Sequence, residues 1–541
     1  MNDLSKTTGD SFALTFGYAD EAAYGSTLDQ LVADKVASGI AAQDPTLWGA
    51  ESEHEASIRL SWTSLPESSR PLVAKVAELR TQHLAAGRDH VVLCGMGGSS
   101  LAPEVICHTA GVEITVLDSS QPDYVRAALN DRLERSIVVV SSKSGSTVET
   151  DSQRRAYEKA FTDAGLNPAD HFVIVTDPGS PLDKESRAAG YRVINADPDV
   201  GGRYSALTAF GLVPSGLAGA DIGQLLDEAA RIEPALTADD TDNPGLRLGA
   251  LLGTANLAGA DKVVLTDVDS GIKGLGDWIE QLIAESTGKQ GKGILPVVVP
   301  STNATNFDPS TPDEVLVTFG PGFVFDRVTP ASGWGAAVDV PLGAAMLLWE
   351  YAVVVAGRII GINPFDQPDV ESAKQAARDL LGGGGDKPTP DFSVDGIDVF
   401  SPEGTSLAEA VDWLLGAIDE QHGYLAVQAY LDRDTFADFA GIREVLAERL
   451  GRPVTFGWGP RFLHSTGQFH KGGTPTGVFL QITGDPVEDL AVPGREFTFG
   501  GFIDSQAAGD AAVLRDHQRP VLRLHLKDVP AGLAKVREVL A

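Results

Sequence analysis

The chain has 541 residues and a net charge of −33, with 43% hydrophobic residues, so it should bury more than one core, in two or three domains. So acidic a surface repels nucleic acid and anionic membranes, and neither is an expected partner. The only cysteines, Cys94 and Cys107, form no C-x-x-C pair, there is no apolar leader after Met1, and no run of about 18 apolar residues occurs. A disulfide framework is therefore not expected, and a cytoplasmic protein is.

Residues 1–60 read as helical, with Leu28, Leu31, Val32 and Val36 at helical spacing and a break at Asp44-Pro45. A further amphipathic helix covers 71–87, opened by Pro71. Then short apolar runs alternate with helical segments, at 91–94, 114–117, 137–140, 172–175 and 192–194. Continuous rather than alternating runs predict parallel strands covered on both faces, a doubly wound α/β domain whose ligands bind at the strands' C-terminal ends. A second such pattern has strands at 262–265, 295–299 and 315–317, then helices at 342–360 and 369–381. Gly382 to Gly385 mark a break. The remainder, with strands at 423–430, 477–482 and 521–526, either forms a third domain or completes the second sheet.

Five loops carry candidate chemistry. Gly95-Met96-Gly97-Gly98-Ser99-Ser100 lets a ligand approach the backbone, or is simply a tight strand-to-helix turn. Ser142-Lys143-Ser144-Gly145-Ser146-Thr147 ends a β-branched run and precedes an amphipathic helix. Such a loop holds a phosphate through N–H groups, hydroxyls and the helix dipole, or only caps its helix. It is not a P-loop, so a small phosphorylated metabolite is expected before a nucleotide. Gly201-Gly202-Arg203-Tyr204-Ser205 sets an arginine among glycines, suited to an anion or a developing oxyanion, or to a plain surface loop. Glu285 ends an apolar helix face before Ser286-Thr287-Gly288-Lys289, as a general base, a solvent-facing residue or a partner for Lys289. Leu463-His464-Ser465-Thr466-Gly467-Gln468-Phe469-His470-Lys471 offers proton carriers near neutral pH, with a metal site or structural histidines as competitors.

Taken in order, these loops resemble the phosphoglucose isomerase family, built from two sugar-isomerase (SIS) domains. Gly95-Met96-Gly97-Gly98-Ser99 is similar to its G-I-G-G-S loop, and Ser142 to Thr150 to its S-K-T-x-x-T-x-E-T loop. Gly201 to Ser205 resembles G-G-R-Y/F-S, Glu285 to Lys289 resembles E-S-N/T-G-K, and Phe365-Asp366-Gln367 through Lys374 resembles F-D-Q-x-x-V-E-x-x-K. One departure stands out. The L-H-S-x-G-Q motif, which many bacterial members carry between the glutamate and the lysine, here lies about 90 residues after Lys374. That order resembles the isomerase half of bacterial fused transaldolase–phosphoglucose isomerase proteins.

The resemblance implies an α/β fold with two doubly wound SIS-type parallel-sheet domains at 61–225 and 245–381. An N-terminal helical segment would occupy 1–60 and a rearranged C-terminal α/β segment 388–541. It implies glucose 6-phosphate and fructose 6-phosphate interconversion through a cis-enediol(ate), in glycolysis and gluconeogenesis, with no cofactor and no metal. The substrate would be held by Gly98, Ser99, Ser142, Lys143, Ser144, Thr147, Gly202 and Gln367. Glu285 would move the proton, Arg203 would stabilise the enediolate, and Lys374 with His464 (or His470) would open the ring. The family takes its histidine from a neighbouring subunit, so the expectation is a homodimer, or a monomer if His464 acts in cis. Alternatives are an isomerase that also handles mannose 6-phosphate and a non-catalytic sugar-phosphate sensor. Association with a separate transaldolase stays open.

Overall fold

The computed structural model describes residues 5–9, 12–308, 310–322, 330–381 and 388–541, without the side chains of 5, 371–374, 379 and 380. The expected flexible break at Gly382 to Gly385 lies outside the described residues. Chain order gives the hairpin β1 (Ser5–Gly9) and β2 (Phe12–Gly17), then β3 (His90–Cys94), β4 (Thr115–Leu117), β5 (Ser136–Ser141), β6 (Phe172–Thr176) and β7 (Arg192–Asn195). β8 (Lys262–Asp267), β9 (Leu295–Val298), β10 (Glu314–Phe319) and β11 (Gly335–Asp339) follow. The C-terminal region adds β12 (Phe392–Val394), β13 (Ile397–Phe400), β14 (Tyr424–Tyr430), β15 (Val454–Trp458), β16 (Gly477–Gly484) and β17 (Val521–Leu526).

These strands form three sheets among the described residues. The first, ordered β4-β3-β5-β6-β7, is parallel throughout. Its apolar runs are continuous because alternate residues feed opposite cores. Val91, Leu93, Ile137 and Val139 enter one cluster, and Val92, Cys94, Val138 and Val140 the other. Each such valine contributes about 1.5 kcal/mol or more by leaving water. The second sheet, β1-β2-β11-β10-β8-β9, has four parallel strands and an antiparallel hairpin at one edge.

The N-terminal expectation needs correction, because Ser5–Gly9 and Phe12–Gly17 form that hairpin and, among the described residues, helices begin only at Glu21. Leu14 and Phe16 alternate inward at period two, and β2, paired on one side with β1, joins the sheet only through β11, with Gly17 opposite Gly335. Such distant pairing leaves little local trace.

The C-terminal strands do not complete the second sheet. They build a third, β12-β13-β17-β16-β14-β15, again four parallel strands with an antiparallel hairpin on one edge. It has its own core, and a further cluster joins Val264, Leu295 and Leu316 to Tyr424, Phe469 and Phe479 of the C-terminal region. The apolar helix Leu342–Ile360 is long enough to cross a membrane, but 89% of its most apolar window is buried inside this protein as a core helix.

Candidate active site

The Ser142–Thr147 loop leaves the C-terminal end of β5 and enters the helix Val148–Asp163. Gly145 N–H donates to Ser142 Oγ at 3.1 Å, Ser146 N–H donates to Ser144 Oγ at 3.2 Å, and the Ser144 and Ser146 hydroxyls lie 2.6 Å apart. Thr147 occupies the N-cap without giving the helix a side-chain cap. The first-turn N–H groups thus meet no capping oxygen, an arrangement open to an anion. Lys143 differs from the expectation. Its ammonium lies 2.8 Å from Asp177 and donates to Pro198 O at 2.8 Å and Val200 O at 3.1 Å. Three donors meet three acceptors, so Lys143 ties its loop to the chain before Arg203 and does not enter the cradle.

The glycines at 97 and 98 are required by close approach. Gly97 has φ +54°, and a Cβ there would lie 2.6 Å from His464 O. A Cβ on Gly98 would lie 2.0 Å from Gly202 O. This turn, Gly97–Ser99, therefore presses on both the arginine loop and the histidine loop, and Ser99 sits half-buried at its end.

The turn Gly202–Tyr204 delivers Arg203, which is 3% exposed. Its Nε is 3.1 Å from Glu285 Oε2, while its other nitrogens donate to Gln367 Oε1 at 2.7 Å, Asp366 O at 3.1 Å and Pro364 O at 3.3 Å. Glu285 projects from the helix Leu275–Thr287, packed through Leu275, Trp278, Ile279, Leu282 and Ile283. The helix stops at Gly288, where a Cβ would lie 2.5 Å from Phe469 Cα. Lys289 does not pair with Glu285. It donates to Asn363 O at 2.7 Å and to Asp366, and burial, then Arg203, pulls its ammonium down to about 8. Lys374 lies on the helix Pro368–Leu381, with its side chain outside the described residues.

His464 ends the short turn Arg461–His464. Its Nε2 is 2.9 Å from Glu149 Oε1, the glutamate two residues into the helix after the serine loop. Gln506 Nε2 donates to the same oxygen at 2.7 Å, and Ser120 Oγ donates to Gln506 Oε1 at 2.6 Å. Gln281, one helical turn before Glu285, donates to His464 O at 2.8 Å. Gln468 donates to Gly288 O at 2.9 Å and to Asp369 Oδ2 at 2.6 Å, clamping the two helices that carry Glu285 and Lys374. His470 is no alternative. It is packed between Tyr424 and Phe479, and burial pulls its imidazole down to about 3.

A cavity joins the serine loop to the His464 turn, lined by Ser146, Thr147, Glu149, His464, Lys471 and Gln506. Glu149, Gln281 and Gln506 have no role in the sequence reading. Two of them left a signal: Glu149 is the glutamate of the matched S-K-T-x-x-T-x-E-T loop, and Gln281 lies four residues before Glu285 on one helix face. The metal-type trio among the described residues, His90, Glu113 and Asp131, lies where β3 begins, at the end of the sheet away from these loops, and Arg132 already pairs with both carboxylates.

Residues 81–304 match the family model for phosphoglucose isomerase. Through this segment the chain is similar to the phosphoglucose isomerase family. It is 30% identical over 344 residues to a glucose-6-phosphate isomerase of Cyanothece sp., covering 53% of this chain and 65% of that protein. It is 29% identical to a probable glucose-6-phosphate isomerase of Natronomonas pharaonis, over 54% of this chain and 79% of the relative. The chain thus spans under two thirds of the first of these relatives. Among solved structures, a glucose-6-phosphate isomerase from Chlamydia trachomatis superposes with TM-score 0.56 at 20% identity, over 70% of this chain and 90% of the other. A hypothetical protein from Thermus thermophilus gives TM-score 0.58 at 23% identity, over 68% and 100%. At such identities these two show a shared α/β fold alone.

Proposed function

We propose that the protein is a cytoplasmic glucose-6-phosphate isomerase that interconverts glucose 6-phosphate and fructose 6-phosphate through a cis-enediolate. The observation that carries this reading is the buried pair of Arg203 and Glu285, 3.1 Å apart, with the Glu285 helix also bonded to the His464 turn. An aldose–ketose isomerisation needs one base that takes and returns a proton, and a cation for the oxygen that becomes negative.

The phosphate sits at the uncapped helix start, among Ser142, Ser144 and Thr147, away from the reacting carbons. His464, oriented by Glu149, moves the proton that opens the ring, with Lys374 on the facing helix. Glu285 then takes the C2 proton. The electron pair of the C2–H bond forms the C1–C2 double bond, and charge moves to the C1 oxygen. Arg203 stabilises that oxygen, the C2 hydroxyl passes its proton to it, and Glu285 returns its own proton to C1 as the C2–O bond becomes the ketone. All these residues belong to one chain, so a monomer suffices. A coupled assay that reduces NADP from glucose 6-phosphate, started with fructose 6-phosphate, tests the proposal. Turnover is expected, and a pure, folded protein without it would end the reading.

A further inference from the structure

A second cavity, about 670 Å³ in volume, lies on the other side of the His464 turn. It sits where the edge strands of all three sheets meet, β4, β9 and β15. Arg461, Phe462 and Ser465 line it, whereas Leu463 and His464 line the candidate active site, so this short turn is the wall between the two. The helix Leu275–Thr287 is divided in the same way. Asp277 and Glu280 line the large cleft, while Gln281 and Glu285 bond to His464 O and Arg203.

The charges in the cleft are unequally matched. Arg461 is neutralised by Glu104 at 2.6 Å and Asp118 at 2.7 Å, and Arg433 by Glu104 at 2.9 Å. Arg443 donates to Val298 O at 3.1 Å and lies 3.7 Å from Glu444. By contrast, the carboxylates of Asp277, Glu280 and Asp434 make no hydrogen bond or ion pair among the described residues. Burial, and then the neighbouring Asp277, pushes Glu280 up to about 8 against the pull of Arg461 and Arg443. The rings of Phe456 and Trp458, 4.9 Å apart and edge to face, form an apolar wall of the same space.

We propose that this cleft binds an organic cation, an amine or guanidinium on an apolar body, with Asp277, Glu280 and Asp434 as counter-ions and Trp458 and Phe456 as the wall. An anion is disfavoured because the arginines are already engaged and three unbonded carboxylates line the same space. The volume suits a small molecule, and aromatic faces attract cations.

Calorimetric titration of the full chain with phenethylamine and with agmatine tests this, using N-acetylphenethylamine as the neutral counterpart. Saturable binding of at least one cation is expected, with the neutral amide about tenfold weaker or silent. Asp277→Asn with Glu280→Gln should abolish binding, and Asp434→Asn, at an exposed position, should weaken it in a chain whose fold is undisturbed. No saturable heat with either cation, equal binding of the neutral amide, or full binding by both variants would overturn the proposal. The readout is binding heat, so it stands apart from the isomerase assay.

Discussion

Arg203 Nε stands 3.1 Å from Glu285 Oε2, and the same guanidinium donates to Gln367 Oε1 at 2.7 Å. One planar cation thus fixes the position of the Glu285 carboxylate and of the Gln367 amide. Glu285→Gln keeps the shape but cannot take a proton. Its kcat should fall by roughly 10²–10⁴ while fructose 6-phosphate affinity changes by no more than a few fold. Steady-state kinetics and calorimetry check this, and near-normal kcat would remove Glu285 as the base.

The contact between His464 Nε2 and Glu149 predicts an interaction between those two positions. Glu149→Gln should cost about 10²-fold in kcat, and His464→Asn a similar amount. The double variant should be little worse than either alone, because each change disables the same unit. Additive losses would mean that the two residues act separately.

Much of this site was legible because its loops are contiguous. Glycine, hydroxyl and arginine patterns lie within six residues of one another, and a strand followed by such a loop has a physical reading. What stayed hidden are the long-range bonds. Glu149 meets His464 across 315 residues, and Gln506 meets Glu149 across 357. Lys143 read as a phosphate ligand because a lysine between serines suggests one, yet Asp177 and two carbonyls turn it away. The first sheet's strands announced themselves as apolar runs. The hairpin at 5–17 did not, because pairing with β11 decides it.

Gly98 tests the contact between loops. Its substitution by alanine sets a Cβ 2.0 Å from Gly202 O, and a backbone carbonyl has no rotamer through which to escape. Gly98→Ala should destabilise the protein by about 1–3 kcal/mol and lower kcat through displacement of Arg203. Urea unfolding with kinetics measures both. An unchanged midpoint and unchanged kcat would show that the loops do not bear on each other.

His470 should make the protein acid-sensitive. Burial, then Lys471 and Arg519, lowers its folded pKa from 6.5 to about 3. Above 6.5 both folded and unfolded states are neutral, and nothing changes. As pH falls below 6.5 the unfolded chain takes a proton that the folded one refuses, so stability is lost until about pH 3. The full loss is of the order of 5 kcal/mol, comparable with a protein's whole margin. His470→Gln should flatten the fall in unfolding free energy between pH 7 and pH 5. An equal slope in both proteins would contradict the assignment.

In the proposed site His464 and Glu285 come from one chain, a reading supported by Gln281, a turn before Glu285, which donates to His464 O at 2.8 Å. Complementation separates this from a site shared between subunits. Glu285→Gln and His464→Asn are each expected to be nearly inactive, and they damage different residues. If His464 came from a partner, co-expressed variants would form mixed dimers in which one of the two sites is intact. About a quarter of all sites would then recover under random pairing. With His464 supplied in cis, every chain carries one broken site whatever its partner. Activity of the co-expressed pair should therefore equal the sum of the two variants, and recovery toward a quarter of the unmodified enzyme would show a shared site.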